Sequence, residues 1–255
     1  LRPFLNAINH AVIEYGGGEV SVDSETRSFS AIQLEDARPS LGFNQILRSA
    51  SNAISATPNS FLEAGGRAGP QLSGNVLRSN STNGLFVTIR TEFGVPLDTL
   101  DVAARLTSRE VTYVLQESLI VEGGAGSYFE DAEGIVQARP SGRLAVDPGV
   151  VLKLQNARIE LERGAAQLLA EGTATQRVVM TNLGDPRFGG GGSFDTNGNL
   201  PNRFGPGYWG GIILNAGSQA NIDHAFISGG GGKVPIEGVL DSFNVIEVHQ
   251  GDLRL

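Results

Sequence analysis

The sequence predicts an all-β protein folded as a right-handed parallel β-helix (solenoid), and three observations lead to this prediction. Short apolar runs, four to six residues long, alternate with polar or glycine-rich links. The chain has 35 glycines among 255 residues and lacks long stretches with apolar residues at helical spacing. In its densest region strands recur about every eight residues, and most links there lack the two-residue turns of antiparallel hairpins. A chain that turns corners and stacks parallel strands satisfies all three observations.

The clearest strands lie in the region 142–182. They are the runs RLAV, VVLKL, RIELE, AQLLAEG and RVVMT. Apolar and polar residues alternate within each run, which predicts one buried and one solvated side. Leu152 and Leu154 are therefore expected to face the core, and Lys153 is expected to face solvent.

Charged residues on the solvated sides of these strands are candidates for catalysis or for simple charge pairing. Arg158, Glu160 and Glu162 share one strand, and Lys153 lies nearby. Polysaccharide-degrading β-helices use clustered acids on one exposed face, whereas acids in this chain are scattered. We therefore interpret the group as a solvated ladder of opposite charges.

A looser echo in the first half supports stacking. The segment ILRSASNAIS (Ile46 to Ser55) resembles VLRSNSTNGLFV (Val76 to Val87) at an offset of 30 residues. Asparagine and serine suit tight corners, because their side chains bond to the local backbone and asparagine tolerates the left-handed conformation. Stacking predicts that Asn or Ser at one corner lies above Asn or Ser at the next.

Several short motifs resemble the right-handed parallel β-helix repeats of large bacterial surface and secreted proteins of the adhesin type. The motifs that carry the resemblance are Pro148-Gly149, Lys153, Glu171-Gly172-Thr173, Trp209-Gly210-Gly211-Ile212 and Asp223-His224-Ala225. The resemblance extends over residues 142–232 and is only general before residue 123. It implies the architecture and an extracellular or cell-surface location, and it implies no particular activity.

The chain also repeats itself at its two ends. The segment AINHAVIEYGGG (Ala7 to Gly18) matches NIDHAFISGGGG (Asn221 to Gly232), so that residues 1–41 align without a gap to residues 215–255. We interpret the chain as a single β-helix segment, 1–255, made of one 214-residue unit and a 41-residue overlap, although two similar coils of one finite β-helix would give the same match. Because a solenoid end exposes unpaired backbone, the expected partners are further copies of the same repeat, joined end to end.

One segment interrupts the strand rhythm: a glycine- and aromatic-rich loop excursion at about 182–208. Its alternating oxygen-bearing residues Asp195, Asn197 and Asn199 match the start of a calcium loop, although an Asn-Gly turn explains the same pattern. Its aromatic residues either pack back onto the solenoid or offer a contact surface for a glycan or a cell-surface protein. These residues are Phe188, Phe194, Phe204, Tyr208 and Trp209.

Composition argues against two classes of function, nucleic-acid binding and membrane spanning. A net charge of −8 argues against nucleic acid as a partner, because phosphate binding depends on clustered Lys and Arg. No apolar run approaches the roughly 18–20 residues of a membrane-spanning helix. We interpret His10 and His224 as equivalent corner residues. We expect no enzymatic activity and no cofactor, although calcium binding remains possible.

The sequence predicts a structural or adhesive extracellular repeat protein in a cell-surface filament. A carbohydrate-binding or polysaccharide-degrading β-helix, and the passenger domain of a secreted adhesin, are the alternatives.

Overall fold

The computed structural model describes residues 6–22, 25–124, 129–130, 134–137, 141–189, 196 and 205–255. Within these residues the protein is essentially all-β, as the sequence predicts. The helical content of this part of the chain is a single 3₁₀ turn, η1 (Pro58–Phe61).

The strands of the first half are β1 Ala7–Asn9, β2 Val12–Glu14, β3 Gly18–Val22, β4 Glu25–Phe29, β5 Ile32–Leu34, β6 Ser40–Gly42, β7 Gln45–Leu47, β8 Asn52–Ala56, β9 Glu63–Ala64, β10 Arg67–Ala68, β11 Gln71–Ser73, β12 Val76–Arg78, β13 Thr82–Val87, β14 Thr91–Glu92, β15 Val95–Pro96, β16 Ala103–Leu106, β17 Tyr113–Leu115 and β18 Leu119–Val121. Those of the second half are β19 Phe129–Glu130, β20 Val136–Gln137, β21 Arg143–Val146, β22 Val151–Leu154, β23 Ile159–Leu161, β24 Gln167–Glu171, β25 Val178–Asn182, β26 Ile212–Leu214, β27 Gln219–Asp223, β28 Ala225–Ile227, β29 Lys233–Ile236, β30 Val239–Ser242, β31 Ile246–Val248 and β32 Asp252–Arg254.

Five sheets among the described residues are built only from parallel strands. Two of them have three strands, in the orders β1-β6-β11 and β12-β7-β2. The larger ones have seven strands (β28-β25-β22-β17-β13-β8-β5), five strands (β16-β21-β24-β27-β32) and four strands (β18-β23-β26-β31). Strands far apart in sequence are neighbours in each sheet, so every pairing is a crossover connection.

The chain passes these sheets in rotation. From β16 onward it runs through the five-stranded, the seven-stranded and the four-stranded sheet and then begins again. Before β16 it runs through the two three-stranded sheets and then the seven-stranded one. The seven-stranded sheet joins both halves, because β13 pairs with β8 on one side and with β17 on the other.

Five antiparallel hairpins in the described residues depart from the sequence prediction. They are β3-β4, β9-β10, β14-β15, β19-β20 and β29-β30. At three of the turns both central residues have positive φ, namely Gly65-Gly66, Phe93-Gly94 and Glu237-Gly238. This is the type I′ geometry that two-residue hairpins prefer. Pairs of any residue followed by glycine, outside the region 142–182, therefore indicated these hairpin turns in the sequence.

The core lies between the parallel sheets and is filled by the alternate residues of each strand. The core-facing half of the alternation predicted for β22 and β23 is confirmed, because Leu152, Leu154, Ile159 and Leu161 are all fully buried. Deep burial of this kind contributes about 1.5–3 kcal/mol per large aliphatic side chain. The core therefore supplies the main stabilisation of the stack.

Asparagines stack at a corner beside this core, as expected, but at a different offset from the predicted one. The Asn44 side chain accepts from the Ala11 N–H and donates to Ile8 O and to Asn75 Oδ1. The strands β7 and β12 pair at an offset of 31, with Ile46 opposite Leu77, rather than at 30. An offset of 30 occurs only at the irregular start of β13, where Thr82 pairs with Asn52, so the sequence echo differs by one residue from the strand register of β7 and β12.

The two matched segments have the same local structure. The hairpins β3-β4 and β29-β30 share one register, since Glu19 pairs with Ser28 as Lys233 pairs with Ser242. Their corners also agree, because positive φ occurs at both members of the pairs His10/His224, Tyr15/Gly229, Gly17/Gly231 and Asp36/Gln250. Left-handed backbone is uncommon outside glycine, so four coincidences at one offset indicate a common local fold.

Candidate functional site

The residues of the predicted calcium loop, Asp195, Asn197 and Asn199, lie outside the described residues. Phe194 and Phe204, two of the predicted contact aromatics, lie outside them as well. In the part of the chain that the structure describes, no group of three or more histidines and acids is placed to hold a metal ion.

Two of the remaining aromatics of the loop, Phe188 and Trp209, pack back onto the chain. Trp209 is completely buried, and its indole Nε1 donates to Ser228 O at 2.9 Å. The ring of Phe188 lies 5.0 Å from that of Phe226 in β28. Tyr208 bonds through its backbone N–H to Gly229 O. A buried tryptophan offers no surface to a partner, so Trp209 favours the packing alternative over the contact alternative.

Lys153 contradicts its predicted exposure. Its side chain does point away from the core of the seven-stranded sheet, but only 1% of the residue is exposed. The ammonium donates to Asp185 O at 2.9 Å and to Thr196 Oγ1 at 3.1 Å. Part of the loop excursion therefore folds over this face and covers the lysine. A Cβ at Gly84 would lie 3.6 Å from the Thr196 methyl, so the loop reaches β13 as well.

Asp185 organises the base of this loop. It is fully buried, accepts from Thr181 Oγ1 at 2.7 Å, and forms two bonds with the Arg187 guanidinium at 2.8 and 2.9 Å. Burial alone would raise the pKa of Asp185, but the bonds from Arg187 and Thr181 together lower it to about 2. The carboxylate is therefore held ionised beside the loop that it anchors.

We expect Asp185 to make the protein acid-sensitive between about pH 4 and pH 2. The pKa of the folded state, about 2, lies below the unfolded value, so the unfolded state takes up protons first as pH falls. The stabilisation is complete above pH 4 and is lost as pH falls through 2, with a total of about 2 kcal/mol. Urea unfolding from pH 6 to pH 2 measures it.

In that experiment the stability difference between wild type and Asp185→Asn should shrink as the pH is lowered. The matched control is Asp241→Asn, at an exposed position of β30. A difference that stays constant with pH would show that Asp185 is not the group responsible.

Arg158 also departs from the predicted solvated ladder. Its side chain is only 8% exposed, pairs with Glu160 at 2.7 Å and lies 5.6 Å from the ring centre of Phe243. Phe243, the residue that follows hairpin β29-β30, lies against the guanidinium on this side of β23. Arg158 and Glu160 therefore form a largely buried structural pair, whereas Glu162 beside them is exposed.

The two equivalent histidines are corner residues, each with positive φ. The His10 ring stacks on Phe43 at 5.2 Å with 8° between the planes. His224 lies 2.8 Å from the carboxylate of its neighbour Asp223. Neither is part of a cluster with other histidines and acids in the described residues.

A polar cavity that the sequence did not predict lies where three neighbouring strands of the seven-stranded sheet end. It has a volume of about 560 Å³. The ends of β5, β8 and β13 form its floor, and the chain returning from hairpin β14-β15 forms its wall. Its lining residues are Gln33, Leu34, Glu35, Asp36, Thr57, Pro58, Asn59, Thr88, Arg90, Leu97, Asp98, Thr99 and Asp101. We call it the corner cavity.

Most polar groups of the corner cavity already have partners. Arg90 binds Asp98 through both carboxylate oxygens, with a shortest distance of 2.6 Å. The hydrogen bonds from Arg90 lower the pKa of Asp98. Asp36 accepts from Thr57 Oγ1 at 2.8 Å. The corner cavity is thus lined by a hydrogen-bonded network of carboxylates, hydroxyls and one guanidinium.

Asp101 is the exception within the corner cavity. Its Oδ1 atom is buried and has no hydrogen-bond partner among the described residues. Its backbone N–H bonds to Asn59 Oδ1 at 3.3 Å. Sequence reasoning missed this cavity because its walls come from four segments spread over residues 33–101, and no local motif links them.

Comparison of the chain with protein-family models, curated proteins and solved structures finds no match. Among the described residues, no helix has both the length and the apolar character needed to cross a membrane. Function must therefore be inferred from the geometry of the chain itself.

Proposed function

We propose that this chain is a segment of a right-handed parallel β-helix and that it serves as a structural or adhesive extracellular repeat, with no catalytic activity. The main support for this proposal is the path of the chain, which passes through three sheets in turn. Each circuit adds one strand to the seven-stranded sheet. The repeated 41-residue segment extends this proposal to a tandem array in a cell-surface filament, whose partners are further copies joined end to end.

The edges of the sheets support the filament. β1, β2 and β5 are terminal strands on one side, and β28, β31 and β32 are terminal strands on the other. Apolar side chains are exposed there, for example Val12 at 62% and Val248 at 43%. Unpaired strand edges with apolar residues favour pairing with another chain.

We expect the isolated chain to associate through these edges as its concentration is raised. Analytical ultracentrifugation from micromolar to millimolar concentration measures the effect. Val248→Lys places a charge on the edge strand β31 and should weaken association, because an edge charge opposes strand pairing. Val136→Lys changes a 67% exposed valine on hairpin β19-β20 and should have no effect. A wild-type chain that remains monomeric throughout would refute the filament.

The corner cavity supports the alternative, carbohydrate binding. Carboxylates, amides, hydroxyls and a guanidinium on one concave surface suit the many hydroxyls of a sugar. A saturation-transfer NMR screen with neutral and amino sugars tests it, because binding there should be abolished by Asp101→Ala and kept by Asp252→Ala at an exposed site. Absence of binding to any glycan, or binding unaffected by Asp101→Ala, would remove this alternative.

A further inference from the structure

The two copies of the repeated segment lie in different sheets. β2 belongs to a three-stranded sheet, whereas its equivalent β28 is the terminal strand of the seven-stranded sheet. β5 is the opposite terminal strand of the seven-stranded sheet, whereas its equivalent β31 belongs to the four-stranded sheet. Each strand of the second copy has thus moved one sheet further along the path of the chain.

The displacement follows from the number of strands in one unit. The seven-stranded sheet takes one strand from each circuit, so the chain returns to it six times between β5 and β28. The next parallel strand is β31, the equivalent of β5. One 214-residue unit therefore contains six circuits and one additional strand. Because a circuit passes three sheets, the additional strand is a third of a circuit.

We propose that consecutive units in the array are related by a screw, in which each unit is turned by a third of a circuit relative to the one before. This inference rests on the tandem array proposed above. The advance is about 30 Å per unit, for slightly more than six strand spacings of about 4.8 Å. The fourth unit regains the orientation of the first.

The screw specifies which strand meets each free edge. Within this chain β7 pairs with β2, placing Gln45 opposite Val12 and Ile46 opposite Ile13. The residues equivalent to Val12 and Ile13 are Phe226 and Ile227 in β28. The β7 of the following unit is therefore expected to extend the seven-stranded sheet, with its Gln45 opposite Phe226.

The edge at β31 follows the same rule. β8 pairs with β5, placing Ile54 opposite Ile32 and Ala56 opposite Leu34. Their equivalents in β31 are Ile246 and Val248. The β8 of the following unit is therefore expected to extend the four-stranded sheet, with its Ala56 opposite Val248.

The turn also distributes the hairpins around the filament. Hairpin β3-β4 and its equivalent β29-β30 carry exposed apolar residues, with Val20 at 53% and Leu240 at 65%. Successive units would present this hairpin in three directions, a third of a circuit apart. An adhesive filament built in this way offers the same contact on all sides.

An extended chain tests the screw. Residues 42–255 are appended directly to Leu255, so that the overlap serves as the junction, and small-angle scattering measures the length. The chain has no cysteine, so introduced pairs report without background. The test pair is Phe226→Cys with Gln45→Cys of the second copy. The positive control is Val12→Cys with Gln45→Cys of the first copy, which face each other in the chain itself.

We expect the rod to lengthen by about 30 Å. We also expect the test pair to cross-link as efficiently as the control pair with a short bifunctional thiol-reactive reagent. A mismatched pair, Val248→Cys with second-copy Gln45→Cys, should not cross-link. A lengthened rod without the test cross-link would overturn the screw and leave the array standing. Two separate bodies or an unfolded extension would overturn the array and the screw together.

Discussion

Replacing Trp209 with alanine should lower the free energy of unfolding by about 3–5 kcal/mol. The indole is fully buried, donates to Ser228 O, and lies so close to Gly230 that a Cβ there would be 3.1 Å from its Cε2 atom. Alanine leaves a cavity between the loop excursion and β28, and it leaves the Ser228 carbonyl without its donor. Urea unfolding followed by circular dichroism measures the loss.

Two further variants separate packing from hydrogen bonding at this position. Trp209→Phe keeps most of the buried area and should cost about 1–2 kcal/mol, chiefly through the lost bond. Tyr208→Phe changes the neighbouring, partly exposed aromatic and should be nearly neutral. A neutral Trp209→Ala would mean that the indole is a surface contact residue, contrary to its burial here.

Replacing Lys153 with methionine should destabilise the protein by about 2–3 kcal/mol, although methionine has a similar shape. The change removes the donor for Asp185 O and Thr196 Oγ1, both of them buried acceptors that the loop brings to the sheet. The loop should detach before the sheets unfold. Hydrogen exchange of the amides in 183–187 should therefore accelerate more than exchange in β22.

The chain supplies its own control, because its only other lysine is Lys233, which is exposed at the start of hairpin β29-β30. Lys233→Met should change stability by less than about 0.5 kcal/mol. If both variants were equally stable and exchange at 183–187 were unchanged, the loop would not be anchored by Lys153.

The alternation of side chains was sufficient to place most strands in the region 142–182. Val150, Leu152 and Leu154 are buried together, since a strand has a period of two wherever it runs. The same local pattern predicted that long helices would be absent, as they are among the described residues, and the lack of two-residue turns in this region predicted its parallel strands. These features depend on residues close in sequence, and the sequence therefore carries them directly.

Alternation did not predict the exposure of the side chains that point away from the core. Lys153 and Arg158 were predicted to face solvent, and both lie on the side away from the core, yet both are buried. Alternation tells which residues avoid the core, but it does not tell whether another segment covers them. That depends on where distant segments return to the sheets: the loop at Asp185 covers Lys153, and Phe243 lies against Arg158.

The candidate site shows the same limit. The acids of the corner cavity are scattered from Glu35 to Asp101 and form no spacing that a motif search would notice. They meet because β5, β8 and β13 are adjacent strands that end at one edge. The sequence contained the residues, and stacking alone determined that they share a cavity.

The repeated segment shows most clearly the difference between what the sequence determines and what the tertiary structure determines. Sequence by itself matched residues 1–41 to residues 215–255, and the described hairpin registers and corner backbones agree at that offset. It did not determine in which sheets each copy lies. Only the tertiary structure decided that the second copy is displaced by one sheet. The physical reason is that sheet position depends on the count of strands in the whole unit, and local sequence fixes each strand without fixing that count.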